Sequence, residues 1–319
     1  MMCALDELSR FYENRCMLKK VLSAGAACAL ILAATLATAQ QAPAALMADP
    51  PVDKAHPAAM AAFQIPSHGA LMNALAYIPA GAEPHPVVIV YHGFPGNEKN
   101  LDLAQAIRRA GWTAIFFDYR GSWGTPGDFS FTHAMEDADA AIAYLRVPEH
   151  AAKLRIDPKR LVLLGHSMGG YMAAHAGAHD PGVIAVGLIS AVNLHDWAQG
   201  SVVEGDAKAS EAKLAKGLAA EQIASLAGCT AESLAREMLA HRDEADWNFL
   251  RYAAMFGSRP LLVISSEDGL APGTDRLIAA VKTNPEAHVT AHHFATDHGY
   301  SDQRIAMETA VLAWLATLQ

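Results

Sequence analysis

Short apolar runs alternate with longer segments of helical periodicity along most of the chain after Leu71. The short runs predict buried strands and the longer segments predict helices, an alternation typical of a mostly parallel sheet flanked by helices. The predicted strands are 87–91, 113–117, 161–164, 183–189, 261–265 and 288–294. The predicted helices are 101–110, 132–145, 168–178, 274–282 and 301–318. The pattern therefore predicts the α/β class.

One long segment, about 193–258, interrupts this alternation. It holds two stretches of strong helix formers, 207–220 and 231–240, followed by several aromatic residues. Because it falls between two predicted core strands, we interpret it as a helical cap inserted over the strand ends. Its aromatic residues are expected to pack between the cap and the core.

The beginning of the chain has the features of an export signal. Met17-Leu18-Lys19-Lys20 precedes an apolar run over 21–37, and Ala37-Thr38-Ala39 offers a small-x-small cleavage site. We therefore predict a signal peptide at 1–39, with Met17 as the initiator and a membrane anchor as the alternative. The Ala- and Pro-rich segment 40–66 predicts a linker, and 67–319 the folded domain.

Charge, cysteine content and glycine patterns limit which partners, disulfides and cofactors we expect. The chain has 319 residues and a net charge of −9, and 1–39 holds four basic and three acidic side chains, so that cleavage leaves −10. This charge argues against a nucleic-acid partner. Only Cys229 would remain after cleavage, so we expect no internal disulfide. No glycine-rich phosphate-binding pattern follows a predicted strand, so no cofactor is expected.

The clearest chemical motif is the segment Gly165-His166-Ser167-Met168-Gly169-Gly170. It places a G-x-S-x-G pattern between a predicted strand and a predicted helix, the context of a nucleophile elbow. Ser167 is the candidate nucleophile, and the N–H of Met168 at the helix start is a candidate oxyanion donor. The alternative is an ordinary glycine turn.

A serine nucleophile needs a base, and His298 is the best candidate because it follows the last predicted strand, as the motif order requires. His292 and His293 are neighbours on that strand, so their side chains point to opposite faces and they do not suit a shared metal site. We expect them to be structural. We therefore predict no metal.

Asp268 is the candidate for the acid that orients the base, since it follows a strand and keeps the chain order Ser, acid, His. Glu267 is its chief rival. Asp196, which follows the strand 183–189, is a second. A purely structural alternative makes Asp268 a capping carboxylate for the helix that follows.

The second oxyanion donor is expected in the loop His92-Gly93-Phe94-Pro95-Gly96, just after an early strand, and the N–H of Phe94 is the candidate. Trp123 ends the loop after the next strand and is a candidate for the acyl pocket. His166, beside the nucleophile, is the other candidate substrate-binding side chain, with a structural role as its alternative.

Together the loop 92–96, the elbow around Ser167, Asp268 and His298 resemble the α/β-hydrolase superfamily over residues 70–318. The chain is similar to small esterases and to the catalytic domain of the prolyl oligopeptidase and acylaminoacyl-peptidase group. The loop also resembles haloalkane dehalogenases and epoxide hydrolases, but those enzymes carry an aspartate nucleophile where this chain has Ser167.

The resemblance implies a serine hydrolase acting through an acyl-enzyme on a small-molecule ester or a short peptide. A carboxylesterase is the preferred interpretation. A small peptidase or amidase, an acyltransferase, and a binding protein without catalysis are the alternatives. With the signal peptide, we expect an exported protein, periplasmic or secreted, without a stable membrane anchor.

Overall fold

In the computed structural model, residues 43–319 are described, and eight strands in this part of the chain form one sheet. The strands are β1 (Ala59–Ser67), β2 (Ala70–Ile78), β3 (His85–Tyr91), β4 (Thr113–Phe117), β5 (Ile156–His166), β6 (Val183–Ile189), β7 (Leu261–Ser266) and β8 (Val289–Phe294). Their order in the sheet is β1-β2-β4-β3-β5-β6-β7-β8. β1 and β2 form an antiparallel hairpin, β2 pairs antiparallel with β4, and all later pairings are parallel. The predicted mostly parallel sheet is confirmed.

Helices cover both faces of the sheet. They are α1 (Ala44–Met47), α2 (Leu101–Arg109), α3 (Phe131–Leu145), α4 (Pro148–Lys153), α5 (Met168–His179), α6 (Leu194–Gln199), α7 (Ala207–Ala220), α8 (Ala231–His241), α9 (Ala271–Val281) and α10 (Arg304–Ala316). Short 3₁₀ helices lie at Ile223–Ser225, Ala245–Trp247 and Phe249–Phe256. None of the helices within 43–319 is both long and apolar enough to cross a bilayer.

The side-chain alternation of the strands divides the core into two apolar layers. In β3, Ile89 packs in the layer that holds α3 and α5, and its neighbour Val90 packs in the layer that holds α2 and α10. Both are at most 2% exposed. Burying such a side chain stabilises the fold by roughly 1.5–3 kcal/mol. Because both faces are covered, the buried parts of the central strands are mainly apolar, which is why the sequence pattern predicted them.

The segment between β6 and β7 contains α6, α7, α8 and the 3₁₀ helices, and it is attached firmly to the core. Glu237 of α8 accepts hydrogen bonds from the backbone N–H groups of Phe131 and Thr132, which satisfies the first turn of α3. The backbone of Ala227 also exchanges hydrogen bonds with Gly121 and Phe129. These contacts fix the inserted helices over the strand ends.

The linker predicted for 40–66 is wrong for its last eight residues. Residues 59–66 belong to β1, which pairs with β2 along its full length. Most residues of this edge strand are exposed or half-buried, and several are alanine, so its sequence lacks the apolar signal of a core strand. The predicted signal peptide, with its cleavage site and the proposed initiator Met17, lies outside the described residues.

Candidate active site

Ser167 lies in a strained turn between β5 and α5. Its backbone has φ 58° and ψ −121°, a conformation that a residue with a side chain rarely adopts and that costs about 1–3 kcal/mol. The turn is held by hydrogen bonds from the N–H of Ser167 to the carbonyl of Ile189 and from the N–H of Gly170 to the carbonyl of Ser167. The strain is thus compensated by contacts that raise Ser167 above the end of the sheet.

The two flanking glycines are required by space. A Cβ on Gly165 would lie 1.9 Å from the carbonyl oxygen of Gly169, and a Cβ on Gly169 would lie 2.1 Å from that of Tyr91. No side chain fits at either distance. The G-x-S-x-G pattern is therefore the sequence that this close strand-to-helix turn demands.

His298 and Asp268 are in direct contact. His298 Nδ1 lies 2.7 Å from Asp268 Oδ2, and the N–H of Leu270 donates to the other carboxylate oxygen at 2.9 Å. Since a carboxylate only accepts, Nδ1 carries a proton, and Nε2 of a neutral ring is left as an acceptor. The Asp268 side chain is 5% exposed and that of His298 is 41% exposed. The acid is thus shielded, and the base is open to a substrate.

The surroundings of Asp268 keep it ionised. Burial alone would raise the pKa of Asp268, but the hydrogen bonds from His298 and from the Leu270 N–H help to lower it well below its usual range. A carboxylate that stays charged can balance the positive charge of a protonated imidazole.

The structure places the two rival acids elsewhere. Asp196 pairs with Arg276 of α9, with 2.5 Å between Oδ2 and Nη2. Glu267 is exposed and forms no side-chain hydrogen bond within residues 43–319. Neither carboxylate contacts His298, so Asp268 alone among the three has the position of an orienting acid.

The other histidines have different surroundings. His293 of β8 is exposed, and its Nδ1 lies 2.9 Å from the hydroxyl of Ser265. His292 is half-buried on the opposite side of the strand. Within the described part of the chain, no group of three or more potential ligands is arranged to hold a metal ion.

The loop after β3 packs against the nucleophile. A Cβ on Gly93 would lie 2.9 Å from the Cβ of Ser167, so glycine is needed for this approach. The peptide bond between Phe94 and Pro95 is cis. The backbone N–H groups of Phe94 and Met168 have no acceptor within residues 43–319. Two unpaired donors therefore remain near Ser167, as an oxyanion site requires.

Ser167, Phe94, Asp268 and His298 line one cavity of about 720 Å³ beneath the inserted helices. No hydrogen bond joins Ser167 Oγ to His298 within residues 43–319, a looseness that is common in active sites without substrate. The cavity is also lined by the apolar residues Val192, Trp197, Leu270 and Pro272 and by the charged residues Asp196, Glu221 and Arg276. None of these residues was predicted to line the site, and Asp196 was considered only as the orienting acid.

The two predicted substrate-binding side chains do not line this cavity. The indole N–H of Trp123 donates to the carbonyl of Pro95 at 2.8 Å, and the ammonium of Lys99 lies 4.6 Å from the centre of its ring. His166 is buried, with Nε2 2.8 Å from the carbonyl oxygen of His298. Trp123 thus packs against the outside of the loop 92–96, and His166 lies beneath the loop that carries His298.

Solved structures with this architecture include an esterase and a peptidase. The thermostable carboxylesterase EstE1 from a metagenomic library superposes with a TM-score of 0.61 at 22% identity, covering 83% of this chain and 91% of that one. The acylaminoacyl peptidase of Pyrococcus horikoshii gives 0.58 at 18% identity, covering 81% and 41%. With the strand order and the elbow described above, this chain has the α/β-hydrolase fold.

Sequence comparison matches part of this chain to a family model and to individual proteins. The family model for "Serine aminopeptidase, S33" matches residues 82–239, which include the loop 92–96 and the elbow around Ser167. The quorum-quenching protein AidA of Acinetobacter baumannii is 32% identical over 129 residues, which are 39% of this chain and 41% of AidA. A Mycobacterium tuberculosis protein of uncharacterized function is 29% identical over 139 residues, 36% of this chain and 48% of its own. The chain thus spans less than half the length of these relatives.

Proposed function

We propose that this protein is a serine hydrolase that cleaves a carboxylic ester through an acyl-enzyme. Ser167 Oγ attacks the carbonyl carbon while His298 Nε2 takes its proton, and Asp268 balances the charge of the imidazolium. The N–H groups of Phe94 and Met168 receive the oxyanion. His298 then gives the proton to the leaving alcohol, and water hydrolyses the acyl-enzyme by the same steps.

The observation that carries this proposal is the Asp268–His298 hydrogen bond on a cavity that Ser167 also lines. A general base contributes roughly 10²–10⁴-fold to the rate. An oxyanion donor contributes about 10²–10³-fold. The apolar wall of Phe94, Val192 and Trp197 suits an acyl group, and the esterases among the solved structures support an ester substrate.

A second candidate is hydrolysis of a short peptide from its amino end. The carboxylate of Glu221 lines the same cavity, and a free amino group is a natural partner of a carboxylate. The family model described as a serine aminopeptidase points the same way. The catalytic steps at Ser167 are common to both candidates.

The test is hydrolysis of a p-nitrophenyl ester series, from acetate to palmitate, beside a series of amino-acid p-nitroanilides, with Ser167→Ala as the control. Ester turnover that is absent in Ser167→Ala supports the esterase. Anilide turnover above ester turnover would favour the peptidase. Equal turnover in the parent and in Ser167→Ala would contradict both.

We further propose that the protein is exported. The support is Lys19-Lys20, the apolar run over 21–37 and the Ala37-Thr38-Ala39 site. The expected result in a Gram-negative host is a processed protein that begins at Gln40 and is released with the periplasm. Recovery of an unprocessed chain in the cytoplasmic fraction would contradict the proposal.

A further inference from the structure

The loop 92–96 carries the Phe94 N–H, and two of its residues are glycine. Gly93 is required by space, because a Cβ there would lie 2.9 Å from the Cβ of Ser167. Glycine is also the residue that restricts backbone rotation least. A rotation of the peptide unit between Gly93 and Phe94 would turn the Phe94 N–H away from Ser167. The loop therefore needs contacts that fix this peptide unit.

The side chain of His92 contacts the same peptide unit. Its Nδ1 lies 2.7 Å from the carbonyl oxygen of Gly93. The peptide bond between Gly93 and Phe94 is trans, so its C=O and N–H point in opposite directions. Holding the carbonyl on one side thus directs the Phe94 N–H to the other. That N–H has no acceptor within residues 43–319, and Phe94 and Ser167 line the same cavity.

The proton of the His92 ring is on the nitrogen that faces the loop. A carbonyl oxygen only accepts, so Nδ1 donates. Burial lowers the pKa of His92 to about 3, so the ring is neutral and Nε2 carries no proton. In agreement, Nε2 forms no hydrogen bond within residues 43–319 and lies 3.7 Å from another acceptor, Asp118 Oδ1. In the described part of the chain, the single hydrogen bond of this buried ring is the one to the Gly93 carbonyl.

The ring of His92 is packed tightly against its neighbours. Its side chain is 1% exposed, and the centre of its ring lies 4.6 Å from that of Tyr119. A Cβ on Gly96 would lie 2.6 Å from His92 Nδ1 and 2.7 Å from Trp123 Nε1. Gly96 thus passes between these two rings with no room for a side chain. His92 is therefore in contact with both ends of the loop that it precedes.

Trp123 holds a second carbonyl of the loop. Its indole N–H donates to the carbonyl of Pro95 at 2.8 Å, and the ammonium of Lys99 lies 4.6 Å from the centre of its ring. Lys99 is fixed in turn by Asp118, with 2.7 Å between Nζ and Oδ1. Two side-chain N–H groups, from different strand ends, thus hold the carbonyls of the residues on each side of Phe94.

We propose that His92 and Trp123 are positioning residues that hold the loop 92–96 so that the Phe94 N–H meets the oxyanion formed at Ser167. Neither side chain is among the residues that line the cavity, so each acts through the carbonyls of the loop. A donor that is fixed before the reaction needs no reorganisation when the charge develops. The inference rests on the proposed function, because an oxyanion forms only if Ser167 attacks a carbonyl.

The first test compares His92→Asn with His92→Leu in the full chain. The two replacement side chains have nearly the same shape and both lack the ring, but only asparagine has an N–H donor at the position of Nδ1. kcat should be roughly 10- to 100-fold lower in His92→Leu than in His92→Asn, a part of the 10²–10³-fold that one oxyanion donor contributes. KM should agree within about threefold, because the cavity is unchanged. Equal kcat in the two variants would overturn the proposal.

A boronic acid that matches the acyl group of the best ester measures the effect on the oxyanion directly. Its tetrahedral adduct with Ser167 Oγ places an oxygen where the oxyanion forms. The inhibition constant should weaken in His92→Leu relative to His92→Asn by the same factor as kcat/KM falls. A fall in kcat/KM with an unchanged inhibition constant would show a structural effect and rule the positioning role out.

Trp123→Phe and Trp112→Phe give a comparison that does not depend on the folding of the His92 variants. Each removes one indole N–H and keeps an aromatic ring. Trp112 is fully buried in the layer of α2 and α10, and its indole N–H has no partner within residues 43–319. kcat should fall by about 3- to 10-fold in Trp123→Phe and stay within about twofold in Trp112→Phe. Equal losses in the two variants would count against the proposal.

Labelling of Ser167 by a fluorophosphonate separates a failure of this inference from a failure of the proposed function. The labelled sites count the folded and reactive molecules, so kcat is expressed per labelled site and partial unfolding does not imitate a loss of rate. Absence of labelling at Ser167 in the parent would contradict the proposed function itself. Labelling of every variant, with equal kcat per site in His92→Asn and His92→Leu, would contradict only the positioning role.

Discussion

At the scale of single residues, the site depends on which carboxylate orients His298. Asp268, Glu267 and Asp196 were all compatible with the order of motifs along the chain. The contacts in the structure distinguish them. Asp268 Oδ2 lies 2.7 Å from His298 Nδ1, whereas Asp196 pairs with Arg276. The assignment also explains the shielding of Asp268, since a buried carboxylate acts on one partner rather than on solvent.

Asp268→Asn should reduce kcat/KM by roughly 10³–10⁴-fold, because a neutral amide cannot balance the imidazolium and favours the wrong tautomer. Glu267→Gln, one position earlier, should change it by less than about twofold. Both are measured with the ester that the parent cleaves best. A larger loss in Glu267→Gln than in Asp268→Asn would show that the acid has been misassigned.

Residue identity was predictable where backbone geometry dictates the sequence. Ser167 was identified because the turn admits only glycine at 165 and 169, a constraint that leaves a motif. The contacts of Trp123 could not be predicted, because nothing in the neighbouring sequence indicates which way its ring turns. Its partners Pro95 and Lys99 are distant in sequence, and only the folded chain brings them to it.

At the scale of elements, the elbow between β5 and α5 is the junction that tolerates no larger side chain at its glycines. Gly169→Ala places a methyl group 2.1 Å from the Tyr91 carbonyl, so β3 and α5 must separate. We expect a loss of about 3 kcal/mol or more in the free energy of unfolding, or failure to fold. Gly217→Ala in α7, where nothing lies within 4 Å, should instead stabilise by up to about 1 kcal/mol. Equal effects in urea unfolding would contradict this explanation of the motif.

Two acidic side chains meet where α2 packs against α10. Asp102 and Glu308 share Arg304, whose Nη2 lies 2.6 Å from Asp102 Oδ1 and whose Nε lies 3.9 Å from Glu308 Oε1. Burial and the charge of Asp102 raise the pKa of Glu308 to about 7. In the unfolded chain this pKa is near 4.5, so between about pH 4.5 and 7 the native state binds more protons and loses stability as the pH rises.

Glu308→Gln should therefore raise the free energy of unfolding at pH 8 by about 1–3 kcal/mol and change it little at pH 4.5. Glutamine removes the buried charge and keeps nearly the same size. Glu286→Gln, at an exposed position, is the control and should have no pH-dependent effect. Urea unfolding at the two pH values measures this, and an equal change at both would contradict the raised pKa.

At the scale of the whole molecule, the parallel part of the sheet was predictable and its antiparallel edge was not. Strands β3 to β7 are buried on both faces over most of their length, and those buried parts are mainly apolar in sequence. β1 lies at the edge with one side in solvent, and its alanines give no strong period. The residues that line the cavity also could not be predicted from the sequence, since they come from the inserted helices, α9 and the strand ends.

The central claim is that Ser167 is the nucleophile, and it is tested most directly by reacting the full chain with a fluorophosphonate and locating the adduct by mass spectrometry. The account predicts a single adduct on Ser167, strongly reduced in Asp268→Asn and absent in Ser167→Ala. An adduct on another residue, or ester hydrolysis that persists in Ser167→Ala, would contradict it.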